Sequence, residues 1–176
     1  CPLNSDFLFI MLNNIAVKHG ILAGVGTVAY LLLFYFIDSR LMLNVGVLWS
    51  TLIIYLVFMY RATMKVREEA DFFPFQLAVR PPFTVFVLAT LIYYTFYYLM
   101  FNIFDPGLLE VQYDLMVENA QRLTDLVGEN QLKEQVEQFS LEDLTVTFKN
   151  VALGASRSLI GGFLLSLIYA GLLRRD

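Results

Sequence analysis

Charge is scarce in this chain: of its 176 residues only 16% are Asp, Glu, Lys or Arg, against 58% hydrophobic. With a mean hydropathy of +0.63, that scarcity excludes a soluble domain of this size and points to an integral membrane protein. Cysteine is nearly missing too. Cys1 stands alone, so no internal disulfide can form and no thiolate metal site is available. His19 is the one histidine, and beside Lys18 it has neither an HxxxH spacing nor a carboxylate partner motif for metal or acid–base work. No GxSxG, P-loop or GxGxxG occurs in a strand-to-helix context, and no basic patch alternates with base-stacking aromatics. The chain therefore reads as a non-enzyme with no cofactor and no nucleic-acid partner.

What is abundant is long apolar sequence. A hydrocarbon core of about 30 Å takes roughly 20 helical residues to cross. Four stretches qualify: 20–37, 41–60, 83–104 and 151–173. The fold class is all-α, an integral membrane protein with four transmembrane helices plus an external amphipathic helical hairpin between the third and fourth. Asp38–Arg40 is so short a link that the first two spans must run antiparallel. Pro81 and Pro82 mark the start of the third, since proline suits a helix's first turn. The organisation is an N-terminus at 1–19, three spans over 20–104 with a link at 61–82, an acidic external segment at 105–150, and the fourth span with a basic end at 151–176. Residues 1–10 read as an upstream extension ahead of MLNNIAVKHG.

Lys18, the bases Arg61, Lys65, Arg67 and Arg80, and then Arg174 and Arg175 all flank spans on one side. By the positive-inside rule that side, with both termini, is cytoplasmic. Residues 72–75 of the link, FFPF, put their rings in the inner interface.

Two stripes of small residues recur every fourth position: Ala16, Gly20 and Gly24 along the first span, and Gly154, Ser158, Gly162, Ser166 and Ala170 along the fourth. Lipid gives helices no hydrophobic drive to associate, so spans meet where small side chains let backbones approach. The stripes pack spans one and four against each other inside one subunit, or they form a homodimer interface. Arg157 interrupts the fourth span one to two turns below its outer end, where a long side chain can snorkel outward. Asp105 and Asp38, at the same boundary, are its candidate ion-pair partners. The alternative is a site for an anion or lipid phosphate. The third span carries Tyr93, Tyr94, Phe96, Tyr97 and Tyr98 toward its outer half, as an interfacial aromatic belt or a groove for an apolar ligand. Tyr93 sits near the midplane, where its hydroxyl needs a partner.

In the external segment Leu109, Tyr113, Met116, Ala120, Leu123 and Val127 alternate by four and three, which makes an amphipathic helix with a narrow apolar seam. Leu132, Val136 and Phe139 give a second arm. Ser140 with Asp143 caps a helix that runs on into the fourth span. The seam is covered by its own second arm, by the span ends or by a partner.

KHGILAGVG in the first span, the aromatic third span ending in FDP, the QLKEQVEQF run and SLIGGFLLSLIYAGLLRR at the end together resemble an uncharacterised family of bacterial membrane proteins, domain of unknown function 4199 (DUF4199). The resemblance covers residues 11–175. It implies four spans in a bacterial inner membrane, no catalytic residues, and an accessory role beside a membrane glycosyltransferase. The leading expectation is thus a non-enzymatic accessory or assembly protein that binds a partner through the external segment. The rival is a small oligomeric transporter or lipid-handling protein with Arg157 and the third-span tyrosines lining the path. Its partners are the lipid bilayer, another membrane protein or further copies of itself.

Overall fold

A computed structural model describes residues 15–69, 73–127 and 145–174, except the side chains of 123–127. In order these form α1 (Ile15–Ile37), the single turn α2 (Ser39–Met42), α3 (Val45–Glu69), α4 (Phe75–Leu99) with a π-helical extension (Met100–Phe104), α5 (Leu108–Val127) and α6 (Phe148–Leu173). Helices α1, α3, α4 with its extension, and α6 contain 23, 25, 30 and 26 residues and are apolar enough to cross a membrane. At 1.5 Å per residue each exceeds a hydrocarbon core of about 30 Å. The chain is an all-α membrane bundle. Its outer surface fits lipid as solvent: Leu33, Phe36, Trp49, Ile160 and Leu172 are each more than half exposed. The expected second arm of the external hairpin, the extension at 1–10 and the side chains of Leu123 and Val127 lie outside the described residues.

Helix α4 is the hub. It packs against α1, α3 and α6, whereas α1 and α6 do not meet and α3 touches α6 only lightly. Both small-residue stripes therefore serve α4, and the first and fourth spans are not brought against each other. A Cβ at Gly20 would lie 2.9 Å from Leu88 Cβ and 3.2 Å from the Val85 Cα, and one at Gly24 2.7 Å from Ile92 Cδ1. Along α6, Gly162 takes the ring of Phe86, Gly154 lies under Tyr94, and Ala170 is buried with Phe73 and Ala78. Large side chains on α4 fill the hollows that small ones leave on its neighbours, which gains dispersion contact without any need for water exclusion. Buried hydroxyls are satisfied locally: Thr27, Thr63 and Ser166 each donate to the carbonyl four residues back, at 2.9, 2.7 and 2.7 Å.

Span limits differ from the hydropathy reading. Helix α3 continues through its charged flank to Glu69, and α4 begins at Phe75, so Pro81 and Pro82 lie inside α4 rather than at its start. Their missing N–H groups fall in the first two turns, where α4 loses only the bonds to the Leu77 and Ala78 carbonyls. Both rings are buried. Phe73 is wholly buried and not interfacial, while Phe75 is 39% exposed. The first hairpin also needs more chain than Asp38–Arg40. Asp38 accepts from the Arg40 N–H at 2.9 Å to start α2, and Asn44 accepts from the Gly46 N–H at 2.8 Å to start α3. The fourth span likewise starts afresh at Phe148, with Thr147 Oγ1 accepting from the Asn150 N–H at 3.2 Å, so no helix runs into it from Ser140.

Beyond the π-helical turn, Asp105–Gly107 redirect the chain into α5, which lies on the bundle's end. Leu108 is fully buried among Leu31, Met42, Met100 and Phe101, and Leu109, Val111 and Leu115 pack on that cluster. The docked face thus follows Leu108, Val111 and Leu115. Tyr113 and Met116, expected on the seam, are half-buried outside that cluster. An exposed ion pair, Arg40 to Asp114 at 3.6 Å, also spans this junction, and pairs of that kind contribute about 0–1 kcal/mol.

Candidate functional site

Because α6 leans on α4 and barely meets α3, a lateral cleft opens between α3 and α6 with α4 as its floor. Its cavity measures 420 Å³. Leu48, Trp49, Thr51, Leu52 and Tyr55 form the α3 wall, Phe86, Thr90, Tyr93 and Tyr94 the floor, and Ser158 the α6 wall. From Leu48 to Tyr55 the wall runs about 10 Å along the helix axis. At its far end Tyr169 closes the gap, its hydroxyl donating to the Leu56 carbonyl at 3.0 Å across the two helices. A hydrogen bond of this kind inside a bilayer is worth about 0.6 kcal/mol on average. Tyr169→Phe is therefore expected to lower unfolding stability by no more than about 1 kcal/mol, read by thermal unfolding in detergent, because its ring stays packed.

The cleft is apolar in volume but lined by hydroxyls. The hydroxyl-bearing side chains of Tyr55 and Thr90 both line it, and Thr51 donates to the Leu48 carbonyl at 2.6 Å. Tyr94 and Ser158 share a hydrogen bond of 2.9 Å. Tyr93, singled out by its depth, stacks at an edge on Tyr94, with ring centroids 5.1 Å apart. Among the described residues its hydroxyl has no hydrogen bond, and in hydrocarbon such a group gains from any acceptor a ligand supplies.

A second cavity, of 370 Å³, adjoins the first on the other side of Tyr94. Tyr94, Tyr97, Asn150, Gly154 and Arg157 line it together with Thr145, Val146, Val151 and Leu153. Tyr94 is the partition between the two, seated where Gly154 and Ser158 leave room: a Cβ on Gly154 would lie 3.0 Å from Tyr94 Cε1. The sequence places Tyr94 among the third-span aromatics without setting it apart, since only the pairing of α4 with α6 distinguishes it from Tyr93 or Tyr97.

Arg157 lines this outer cavity, nine residues and so about 13 Å along α6 from the start of that helix, and is exposed. Its candidate partners are elsewhere. Asp105 accepts from the Tyr35 hydroxyl at 2.9 Å on the α1 side, and Asp38 caps α2. Asp38 is engaged in its own turn and Asp105 with α1, and neither forms an ion pair with Arg157. His19 is structural, donating from Nδ1 to the Ile15 carbonyl at 2.7 Å and meeting Phe58 edge to face. Among the described residues no three His, Cys, Asp or Glu side chains are grouped to hold a metal ion.

A family model described as "Protein of unknown function (DUF4199)" matches residues 18–175. No curated protein and no solved structure matches the chain.

Proposed function

The chain belongs to the DUF4199 family of proteins of unknown function, and from that starting point we propose that it is a non-enzymatic membrane protein that holds a bilayer amphiphile in the cleft between α3 and α6. The distribution of bases further supports an inner-membrane orientation with both termini cytoplasmic. One observation carries the reading: the cleft opens on the side of the bundle, yet within a membrane-spanning helix it presents a tyrosine hydroxyl, Tyr93, without an acceptor among the described residues. Ordinary lipid-facing surface is uniformly apolar, because an unsatisfied polar group there is destabilising. A ligand with an ester, ether or carbonyl oxygen at that depth completes the site, and its chain fills the apolar remainder.

The test is native mass spectrometry of protein extracted in mild detergent. Wild type is expected to retain a single amphiphile per chain. Thr51→Trp, which fills the cleft from a half-buried position on α3, is expected to lose it while keeping the helical content and elution position of wild type. Wild type free of any bound amphiphile, or a Thr51→Trp protein that still carries it, would sink the reading.

A second reading keeps the acidic segment as a docking surface for a partner protein. It is supported by Tyr113 and Met116 on α5, which stand outside the cluster that docks the helix. Photo-crosslinking from Met116 in native membranes is expected to capture one discrete protein if this holds, and only the chain itself if it does not.

A further inference from the structure

The outer cavity combines features that ordinary packing does not require. Arg157 lines it from about 13 Å along α6, counted from the start of that helix; it is exposed, and among the described residues it has no hydrogen bond or ion pair. Among the described residues no Asp or Glu lines the cavity. Asn150 donates one amide hydrogen to the Thr145 carbonyl at 3.1 Å, which leaves its second amide hydrogen uncommitted. A guanidinium at such depth is unfavourable unless water or an anion satisfies it. Here 370 Å³ of space stands around it, enough for more than a water or two. Tyr94 lines both this cavity and the apolar cleft.

We propose that Arg157 and Asn150 bind the phosphate of an anionic phospholipid whose acyl chain passes Tyr94 into the cleft between α3 and α6. This rests on the amphiphile reading above and adds the headgroup to it. Charge complementarity decides the occupant: among the described residues the cavity offers a cation and an amide donor and no carboxylate to repel an anion, and a phosphate diester accepts from both in a forked geometry that suits arginine. A free phosphate would use the outer cavity alone. A lipid phosphate uses both cavities, and their junction at Tyr94 is what favours it.

Trp49 is the single tryptophan and lines the cleft while 70% exposed, so its fluorescence reports both bulk lipid and the cleft's occupant, and the difference between two lipids of equal chain but different headgroup isolates the occupant. The experiment reconstitutes the full chain into vesicles of unbrominated phosphatidylcholine containing a minor fraction of bromine-chain lipid, either phosphatidylglycerol or phosphatidylcholine. In wild type the brominated phosphatidylglycerol is expected to quench at about five- to tenfold lower mole fraction than brominated phosphatidylcholine, the scale of one charge-assisted hydrogen bond near a wet surface. Arg157→Gln is expected to bring that ratio to about one, with Arg157→Lys and Asn150→Ala intermediate, all at unchanged helical content. Should Arg157→Gln fail to fold, the Lys and Ala variants decide, since each keeps a folded charge balance or touches an exposed residue.

Equal quenching by the two lipids in wild type, or a preference that survives in the variants, overturns the proposal. So does loss of the preference when inorganic phosphate replaces chloride at matched ionic strength, because the site would then take the free anion. A bound amphiphile in the mass spectrum without headgroup preference would sink this inference and leave the cleft reading standing. Absence of both would remove the two together.

Discussion

Gly162→Leu is expected to leave no folded bundle, while the same substitution one residue earlier, Gly161→Leu, is expected to be tolerated. A Cβ on Gly162 would overlap the Phe86 ring, whereas nothing lies within 4 Å of a Cβ on Gly161. Phe86 is 7% exposed and held edge to face by Tyr55, with ring centroids 5.3 Å apart, so the ring can move aside only by breaking that contact and entering the cleft it floors. Overpacking a close-packed site by even a few methylenes costs about 1–3 kcal/mol, and a whole isobutyl group set against a ring so held lies at or beyond the top of that range. Gly161 instead faces lipid, where a leucine has no neighbour to displace and helix propensity improves by up to about 1 kcal/mol. The measurement is thermal unfolding with size-exclusion recovery in detergent. A rescue makes it specific: Gly162→Ala is expected to be destabilising alone and partly restored by Phe86→Leu, a coupling that two distant sites would lack. Equal behaviour of the two glycines would mean that α6 does not dock on α4 through this face.

That contrast also marks how far the sequence was readable. The period of four along α6 placed Gly162 on a packing stripe, because small residues at that spacing are a local signal. Which helix meets the stripe is not local. Its partner, α4, has no small-residue stripe and presents Val85, Phe86 and Tyr94 instead, so nothing in its own pattern announces the pairing. The four spans were legible from length and apolarity, but their ends were not. Hydropathy stops at Arg61 and at Pro82, whereas backbone hydrogen bonding continues to Glu69 and resumes at Phe75. For α5 the seam drawn from spacing followed Leu109, Tyr113 and Met116; Leu109 does pack on the bundle's end, but the rest of the docked face is Leu108, Val111 and Leu115. A run that offers apolar residues at both 108 and 109, and at both 115 and 116, leaves the choice of face to the bundle's end. Arg157 stood out as a lone charge in an apolar run. That no carboxylate among the described residues pairs with it did not, since Asp38 and Asp105 look available until the cap of α2 and the bond from Tyr35 are seen. The cleft itself could not be read at all, because it exists only through the separation of α3 from α6.

The second large effect is expected at the opposite end of that separation. Phe73→Ala is expected to destabilise the protein by about 3 kcal/mol, against less than about 0.5 kcal/mol for Phe75→Ala, two residues on. Phe73 is 0% exposed and packs with Ala78 and Ala170, tying the start of α4 to the last turn of α6, whereas Phe75 is 39% exposed. Truncating a buried phenylalanine costs about 3–5 kcal/mol in proteins surrounded by water. The lower end applies here because the solvent around the spans is itself apolar, so little transfer energy is lost and the deficit is mainly dispersion contact around a cavity. The effect is read from unfolding midpoints in mixed micelles, with both variants compared to wild type. It reaches the cleft as well. The Phe73 cluster and the Tyr169 hydroxyl are neighbouring restraints on the same end of α6, so Phe73→Ala and Tyr169→Phe are expected to couple rather than add. If the two substitutions proved simply additive, α6 would be held at that end by independent contacts, and the width of the cleft would not depend on Phe73.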